Sequence, residues 1–452
     1  MKTYAELDPR GCYSFQKIHA VAIPILLSML MEHVIGLTDT AFLGRVSEVA
    51  LGASALGSVY FLAFFVIGSG FCFGAQILIA RRNGEKNYDQ IGPICYACGF
   101  FLFLISLLLI LLIQYYSPLL LSKMVQSKDI CDSTVQYVNW RAYGLFFAFG
   151  AALYRAFYVG IAYTRILTYA SIMMVCTNVM LNYALIFGKF GFPVMGIAGA
   201  AIASSVAEAV SMLCYVIYSI KFIDTEKYGF HTFRTFFKFD ILKNVFSVSS
   251  WMMLQPFLSV GVWFLFFIAV EHLGERSLAV INLARSLSAL PFIVIHACAM
   301  AGNSLVSNLI GEGKVNQVWR LIGKVCCSCT VIVLPMLVLF ALFPENVLRI
   351  YTDNTELIAA SVNVVYVMCI ASTLQIPAFI LFNAVSGTGA VKTTVLIETV
   401  TLIIYAVFVW IIIIKMHSTP AVAWVVEIIY QSIACLLCLI YFFRGDWKNK
   451  KL

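Results

Sequence analysis

The amino-acid sequence predicts an all-α polytopic membrane protein, whose twelve transmembrane helices form two pseudo-symmetric lobes of six helices each. Three observations predict this fold: a strongly apolar composition, basic residues concentrated in alternate loops, and landmarks that recur in the two halves. Hydrophobic residues make up 62% of the 452 residues and charged residues only 12%, whereas soluble domains carry about 25% charged residues. A soluble enzyme is therefore excluded.

Hydropathy divides the chain into twelve apolar segments, each long enough for the roughly 20 helical residues that cross a bilayer core. The polar N-terminus lacks the short apolar stretch and the cleavage site of a signal peptide, so we expect the first span to be retained. The predicted spans are residues 18–43, 50–80, 92–116, 134–160, 166–188, 196–220, 244–270, 278–310, 321–343, 357–386, 394–415 and 421–443.

The distribution of lysine and arginine predicts the orientation. The termini and every second loop hold nineteen of these residues, and the opposite loops hold seven. Because basic loops stay on the cytoplasmic side, we expect a multi-pass protein of the cell membrane with both termini in the cytoplasm. The net charge of +8 is then a topology signal, and it indicates no nucleic-acid partner.

The two halves of the chain resemble each other. Gly74 recurs as Gly302 and Gly160 as Gly387, in each case about 228 residues later, which indicates an internal repeat. With six spans per half the repeat is parallel, as in carriers that work by alternating access. We predict an N-lobe at 1–220, a cytoplasmic inter-lobe loop at 221–243 and a C-lobe at 244–452.

The first span contains two carboxylates. Glu32 and Asp39 are seven residues apart, so they lie on one helical face. A carboxylate at the bilayer centre costs about 2.5–3.5 kcal/mol, which predicts that both face the protein interior or a wet cavity. The alternatives are that Glu32 pairs with a buried arginine and that Asp39 caps the end of the helix near the interface.

The fifth span carries a pair of amides. Asn178 and Asn182 are four residues apart and share a helical face. Their oxygens can coordinate a small cation or hold a carboxylate in place, and packing between helices is the alternative. The many aromatic residues, 36 Phe and 22 Tyr, suit a cavity for flat or cationic substrates, although most of the Phe residues must face lipid.

Further charged residues lie inside the predicted spans. Glu208 is expected to be buried, and Arg141 and Arg155 are candidate partners of Glu208 or Glu32, either as structural ion pairs or as a gate. In the second half, Arg285 is a further candidate for a gate or an ion pair, whereas the sequence leaves the roles of three titratable residues open: His296, Glu398 and Glu427.

Prolines occur at matching places in the first span of each half. Pro24 and Pro256 each remove a backbone hydrogen bond and permit a kink. Pro24 is therefore a candidate hinge, and helix packing is the alternative.

No pattern in the sequence indicates an enzyme, a metal or a cofactor. The 14 cysteines are scattered through apolar runs, which indicates small buried side chains rather than disulfides or metal ligands. A nucleophile–base arrangement, a paired His–Glu metal motif and a phosphate loop are all missing from the sequence. We predict a protein that is not an enzyme.

An ordered set of motifs carries a family resemblance. In the first half it consists of Gly36-Leu-Thr-Asp39-Thr-Ala-Phe-Leu-Gly44-Arg45, Gly74-Ala-Gln76, Arg155-Ala-Phe157, Asn178-Val-Met-Leu-Asn182 and Gly196-Ile-Ala-Gly199; the second half adds Ser386-Gly387-Thr-Gly389. With these residues the chain resembles the multidrug and toxic compound extrusion (MATE) family, close to its DinF-like branch. The resemblance covers nearly the whole chain.

The resemblance implies a V-shaped pair of six-helix lobes that expels organic, often cationic compounds in exchange for H⁺ or Na⁺. It implies that Asp39 is the coupling carboxylate of the N-lobe and that Asn178 belongs to the same site. Asn182 stands where related members often have Asp; Glu32 is a candidate replacement, and Ser204 is a candidate hydroxyl from the sixth span. The lost carboxylate favours H⁺ over Na⁺, because fewer hard oxygen ligands remain. We expect a monomer in the lipid bilayer.

Two other carriers compete with this interpretation. A flippase for lipid-linked oligosaccharides or peptidoglycan precursors, from the same wider superfamily, usually has a strongly cationic cavity, whereas the arginines in the spans here are few and accompanied by acidic residues. A major-facilitator carrier also has six plus six spans. Its loop between the second and third spans normally carries an Asp within a Gly/Arg pattern, which Ala80-Arg-Arg-Asn-Gly-Glu85 lacks.

Overall fold

The computed structural model describes residues 11–125, 127–230, 239–445 and 447–448. The helices of the first half are α1 (Phe15–Leu43), α2 (Glu48–Gly84), α3 (Ile91–Met124), α4 (Lys128–Ala142), α5 (Gly144–Gly160), α6 (Arg165–Phe187) and α7 (Gly196–Phe222). Those of the second half are α8 (Phe239–Glu271), α9 (Glu275–Gly311), α10 (Val318–Leu342), α11 (Pro344–Leu348), α12 (Thr355–Gly387), α13 (Val391–Val409) and α14 (Pro420–Arg444).

The predicted all-α architecture is confirmed. Within the described ranges, eleven helices are long and apolar enough to cross a membrane. The predicted span at 134–160 is the pair α4 and α5, bent by 47° at Tyr143, and counting this pair as one span gives twelve. The short α11 lies in the connection between α10 and α12, where proline occupies the first helical position, as its missing N–H allows.

The chain forms two compact units. One consists of residues 27–253, and the other combines residues 254–452 with the chain up to Leu26. Both crossings from one unit to the other occur inside a helix next to its proline, since α1 crosses just after Pro24 and α8 just before Pro256.

The limits of these units differ from the predicted lobes 1–220 and 244–452, which stay a prediction. At the start of the chain, Lys324 Nζ donates to the Tyr13 carbonyl at 2.7 Å, and the Tyr13 hydroxyl donates to Glu312. The first half of α8 packs on α2, where a Cβ on Gly74 would lie 2.5 Å from Ser249 Cα. Residues 231–238 of the predicted inter-lobe loop lie outside the described residues.

One pair of repeated glycines, Gly160 and Gly387, has the same packing role in both halves. A Cβ on Gly160, the last residue of α5, would lie 2.7 Å from Ile79 on α2. A Cβ on Gly387, the last residue of α12, would lie 2.6 Å from the carbonyl of Asn303 on α9. Two helix pairs that correspond in the repeat therefore approach closely at the same landmark.

Candidate functional site

Asp39 lies near the end of α1, is half-buried, and accepts two hydrogen bonds. Asn182 Nδ2 on α6 lies 2.5 Å from Asp39 Oδ1, and Ser204 Oγ on α7 lies 3.1 Å from Asp39 Oδ2. Asn178 connects these two partners, because it accepts from Asn182 Nδ2 at 3.0 Å and donates to Ser204 Oγ at 3.1 Å. The four side chains form a closed circuit, which we call the Asp39 ring.

Two sequence features position the Asp39 ring: the four-residue spacing of its two asparagines on α6, and a glycine on α7. Asn178 and Asn182 are one turn apart on α6, and both are fully buried. Gly199 on α7 faces Leu185, where a Cβ would lie 2.8 Å from the backbone carbonyl carbon. Glycine therefore allows α7 to approach α6 closely enough for Ser204 to reach Asn178.

The ring contains hydrogen-bond donors but no counter-charge. In the part of the chain that the structure describes, no lysine, arginine or histidine forms an ion pair with Asp39. The side-chain oxygen Oδ1 of Asn182 is buried and has no hydrogen-bond partner among the described residues. A buried acceptor without a donor costs about 1–3 kcal/mol, so the ring holds one unused acceptor beside a carboxylate.

Glu32 lies outside the Asp39 ring. Its carboxylate pairs with the guanidinium of Arg155 on α5, which is the alternative that the sequence left open. Glu32 and Asp39 share a face of α1, as the seven-residue spacing predicted, but they have different partners. A coupling role for Glu32 stays a prediction.

Arg141 and Glu208 form a two-pronged ion pair between α4 and α7. The guanidinium nitrogens lie 2.8 and 2.5 Å from the two carboxylate oxygens, and the Arg141 Cζ lies 3.9 Å from the centre of the Phe61 ring. Gly144 makes room for the pair, because a Cβ there would lie 2.4 Å from the guanidinium. Both first-half arginines that were predicted as gates or ion pairs thus have carboxylate partners.

The two remaining predicted residues lie elsewhere. Arg285 on α9 donates to the side-chain oxygen of Asn282, one turn earlier on the same helix, at 3.0 and 2.9 Å. Pro24 lies inside α1, where the helix continues on both sides of it. Their roles as gate and hinge stay predictions.

The second half contains a polar cluster that sequence reasoning missed. Glu398 and Glu427 were noted without a role, and the structure adds their partners Ser259, Tyr430 and Tyr405. The residues come from the consecutive helices α13 and α14 and from α8, which lies more than 100 residues earlier in the chain. The only sequence signal is the presence of a carboxylate and a tyrosine in each of the two last spans.

Comparisons with known proteins agree with this architecture. Residues 24–184 and 252–411 match the profile of the MatE family, so each half carries its own match. The probable multidrug resistance protein NorM of Pasteurella multocida is 24% identical over 347 residues, 76% of this chain and 74% of the relative. The NorM relative of Agrobacterium fabrum is 26% identical over 405 residues, 87% of this chain and 84% of the relative.

Solved structures show the same fold. A crystal structure of MATE in the straight conformation superposes with a TM-score of 0.87 over 97% of both chains, at 18% sequence identity. The predicted fold class, with its two six-helix halves, is confirmed, whereas the DinF-like branch stays a prediction. Since the family profile covers most of the chain in two matches, this polytopic membrane protein belongs to the MatE family of transporters.

Proposed function

We propose that this protein is a secondary active antiporter that exports organic, often cationic compounds in exchange for protons. The observation that carries the proposal is Asp39, a carboxylate inside a membrane span that accepts from neutral donors and, within the described residues, belongs to no ion pair. The names of the relatives, multidrug resistance proteins, support the substrate class. A monomer in the cell membrane, with both termini in the cytoplasm, belongs to the same proposal.

Asn182 suits a site that alternates between two protonation states. When Asp39 is charged, its oxygens accept from the Asn182 amide and the Ser204 hydroxyl, as in the structure. When Asp39 is protonated, it becomes a donor, and the Asn182 amide offers the buried oxygen that now has no partner. A rotation of the amide group exchanges its donor for its acceptor, so one side chain serves both states.

The hydrogen bonds of the ring favour H⁺ over Na⁺ as the coupling ion. Both oxygens of Asp39 are approached by N–H or O–H hydrogens, whose partial positive charge opposes a metal ion at the same oxygens. A cation of this kind prefers several oxygen ligands, and Asp39 is the only carboxylate of the ring. A proton needs one oxygen.

Protonation links the ring to the movement of α1. A proton removes the charge of Asp39 and changes which hydrogen bonds join α1 to α6 and α7. Pro24 lies roughly four helical turns earlier, where the backbone can bend. Proton and substrate that favour opposite arrangements of the helices exchange without contact between them.

The paired arginines argue against the flippase alternative. Arg141 and Arg155 are each neutralised by a glutamate, and Arg285 already donates to Asn282. A cavity for a diphosphate or another polyanion needs guanidinium groups that are available to the ligand.

Efflux of a fluorescent organic cation from everted membrane vesicles tests the proposal. Vesicles with this protein and vesicles without it are compared under an imposed pH gradient or an imposed Na⁺ gradient. We expect transport that follows the pH gradient and collapses with an ionophore that dissipates it. Transport driven by neither gradient would contradict the proposal.

A further inference from the structure

The second half of the chain contains a buried carboxylate that has no part in the proposed proton exchange at Asp39. Glu398 on α13 is 2% exposed. Ser259 on α8 donates a hydrogen bond to Glu398 Oε1, and the Tyr430 hydroxyl on α14 lies 3.1 Å from both carboxylate oxygens. Groups from two other helices thus converge on one carboxylate.

Glu427 on α14 is held in a reciprocal way. The Tyr405 hydroxyl on α13 donates to Glu427 Oε1 at 2.8 Å, and Trp263 Nε1 on α8 approaches the same oxygen at 3.4 Å. The rings of Tyr405 and Tyr430 meet edge to face, with centroids 5.7 Å apart. Each carboxylate is therefore bound by the tyrosine of the other helix and by one residue of α8.

No positive charge offsets Glu398 within the described residues. The ion pairs that the described residues form all involve carboxylates other than Glu398. The groups that face Glu398 are Ser259 and Gln255 on α8, with Tyr430 and Cys438 on α14, and all are uncharged at neutral pH. Burying an unpaired carboxylate in an apolar interior is costly, and the group avoids this cost by binding a proton.

The partners of Glu398 suit both protonation states. Tyr430 and Ser259 carry hydroxyl groups, which donate to a charged carboxylate and accept from a protonated one. Both hydroxyls lie within hydrogen-bond reach of the carboxylate, and when they donate to it, the partial positive charge of their hydrogens opposes a metal ion there. We propose that Glu398 is a second proton-binding carboxylate of this protein, in a different compact unit from Asp39. The binding itself rests on this geometry, and its use in transport rests on the proposed function.

Chemical labelling of the purified full-length protein tests this inference. An apolar carbodiimide reacts with protonated carboxyl groups in apolar surroundings, and peptide mass spectrometry locates the product. We expect labelling of Glu398 at neutral pH that declines as the pH rises. In Tyr430→Phe the decline moves to higher pH, because the charged carboxylate loses a donor. Asp39→Asn leaves the labelling of Glu398 unchanged.

Proton uptake provides a second readout that does not depend on access of the reagent. After a jump from alkaline to neutral pH, we expect Glu398→Gln to take up one proton fewer per chain than the wild type. Glu271→Gln is the matched control, because Glu271 is exposed at the end of α8 and outside the cluster; its uptake equals that of the wild type. Equal uptake by Glu398→Gln and the wild type would overturn the inference. Protection of Glu398 from labelling by Na⁺ but not by choline, at constant pH, would also overturn it. Neither readout requires transport, so failure of the antiport proposal leaves both interpretable.

Discussion

Asn182 places its Nδ2 2.5 Å from Asp39 Oδ1 and 3.0 Å from Asn178 Oδ1, while its own Oδ1 is buried and has no partner in the part of the chain that the structure describes. The Asn182 amide therefore donates both of its hydrogens to ring members, and its acceptor oxygen is unused. Aspartate at this position would replace two donors with a second negative charge. The ion preference of the site then depends on Asn182 as much as on Asp39.

Substitution Asn182→Asp tests that dependence. When two carboxylates are in contact, the repulsion between them opposes ionisation of both. They therefore share a proton or hold a cation between them. We expect the variant to remain active and to become more dependent on Na⁺, measured as efflux under separate pH and Na⁺ gradients. Asn182→Leu is the control, since it removes the donors without adding a charge, and it should lose activity without gaining Na⁺ dependence. An active Asn182→Asp protein with unchanged ion dependence would argue against a coupling role for Asn182.

The largely buried ion pair Arg141–Glu208, whose side chains are 11% and 17% exposed, gives a prediction on stability. Glu208→Gln leaves a buried guanidinium without its counter-ion, and the loss of one partner of a buried pair costs about 3–5 kcal/mol. We expect Glu208→Gln to lower the thermal unfolding temperature of the detergent-solubilised protein. The double variant Arg141→Met/Glu208→Leu should recover most of this loss, because it removes both charges.

The exposed ion pair Arg276–Glu356 provides the matched control. Its side chains are 66% and 82% exposed, and exposed pairs contribute about 0–1 kcal/mol. Glu356→Gln should therefore leave the unfolding temperature nearly unchanged. A similar loss in both glutamate variants would show that the Arg141–Glu208 pair has no special structural role.

The sequence predicted the helices and the first-half site better than the contacts of the second half. Asp39, Asn178 and Asn182 could be found because a carboxylate in an apolar span is costly and a four-residue spacing fixes a helical face. The pairing of Glu32 with Arg155 remained open, because it depends on how α1 packs against α5. The partners of Glu398 could not be predicted for the same reason, since Ser259 lies 139 residues away and the face that α14 presents to α13 depends on packing. The bend at Tyr143 also escaped prediction, because no proline marks it.

Pro24 gives a prediction on transport kinetics. Pro24→Ala supplies the backbone N–H that proline lacks, and proline inside a helix costs about 3 kcal/mol. We expect a more thermostable protein with slower efflux, because a straighter α1 bends less readily. Thermal unfolding and initial efflux rates measure the two effects. Increased stability with an unchanged efflux rate would contradict the hinge.

Cysteine accessibility tests the predicted orientation. Lys227 is exposed in the segment after α7, and Lys189 is exposed after α6, on the opposite predicted side of the membrane. In inverted vesicles, a membrane-impermeant maleimide should label Lys227→Cys and spare Lys189→Cys. The unmodified protein reports the background from its native cysteines. The reverse labelling pattern would contradict cytoplasmic termini.

Asp39→Asn tests the central claim, that the charge state of Asp39 couples ion and substrate movement. The substitution is nearly isosteric and removes a costly charge, so the variant should fold, insert and unfold thermally like the wild type. Matched amounts of wild-type and variant protein are reconstituted into proteoliposomes, and gradient-driven efflux of a fluorescent cation is measured. We predict that efflux by the variant falls to the level of protein-free liposomes, while substrate binding in detergent is retained. Efflux at the wild-type rate would show that Asp39 is only a structural cap of α1 and that coupling resides elsewhere.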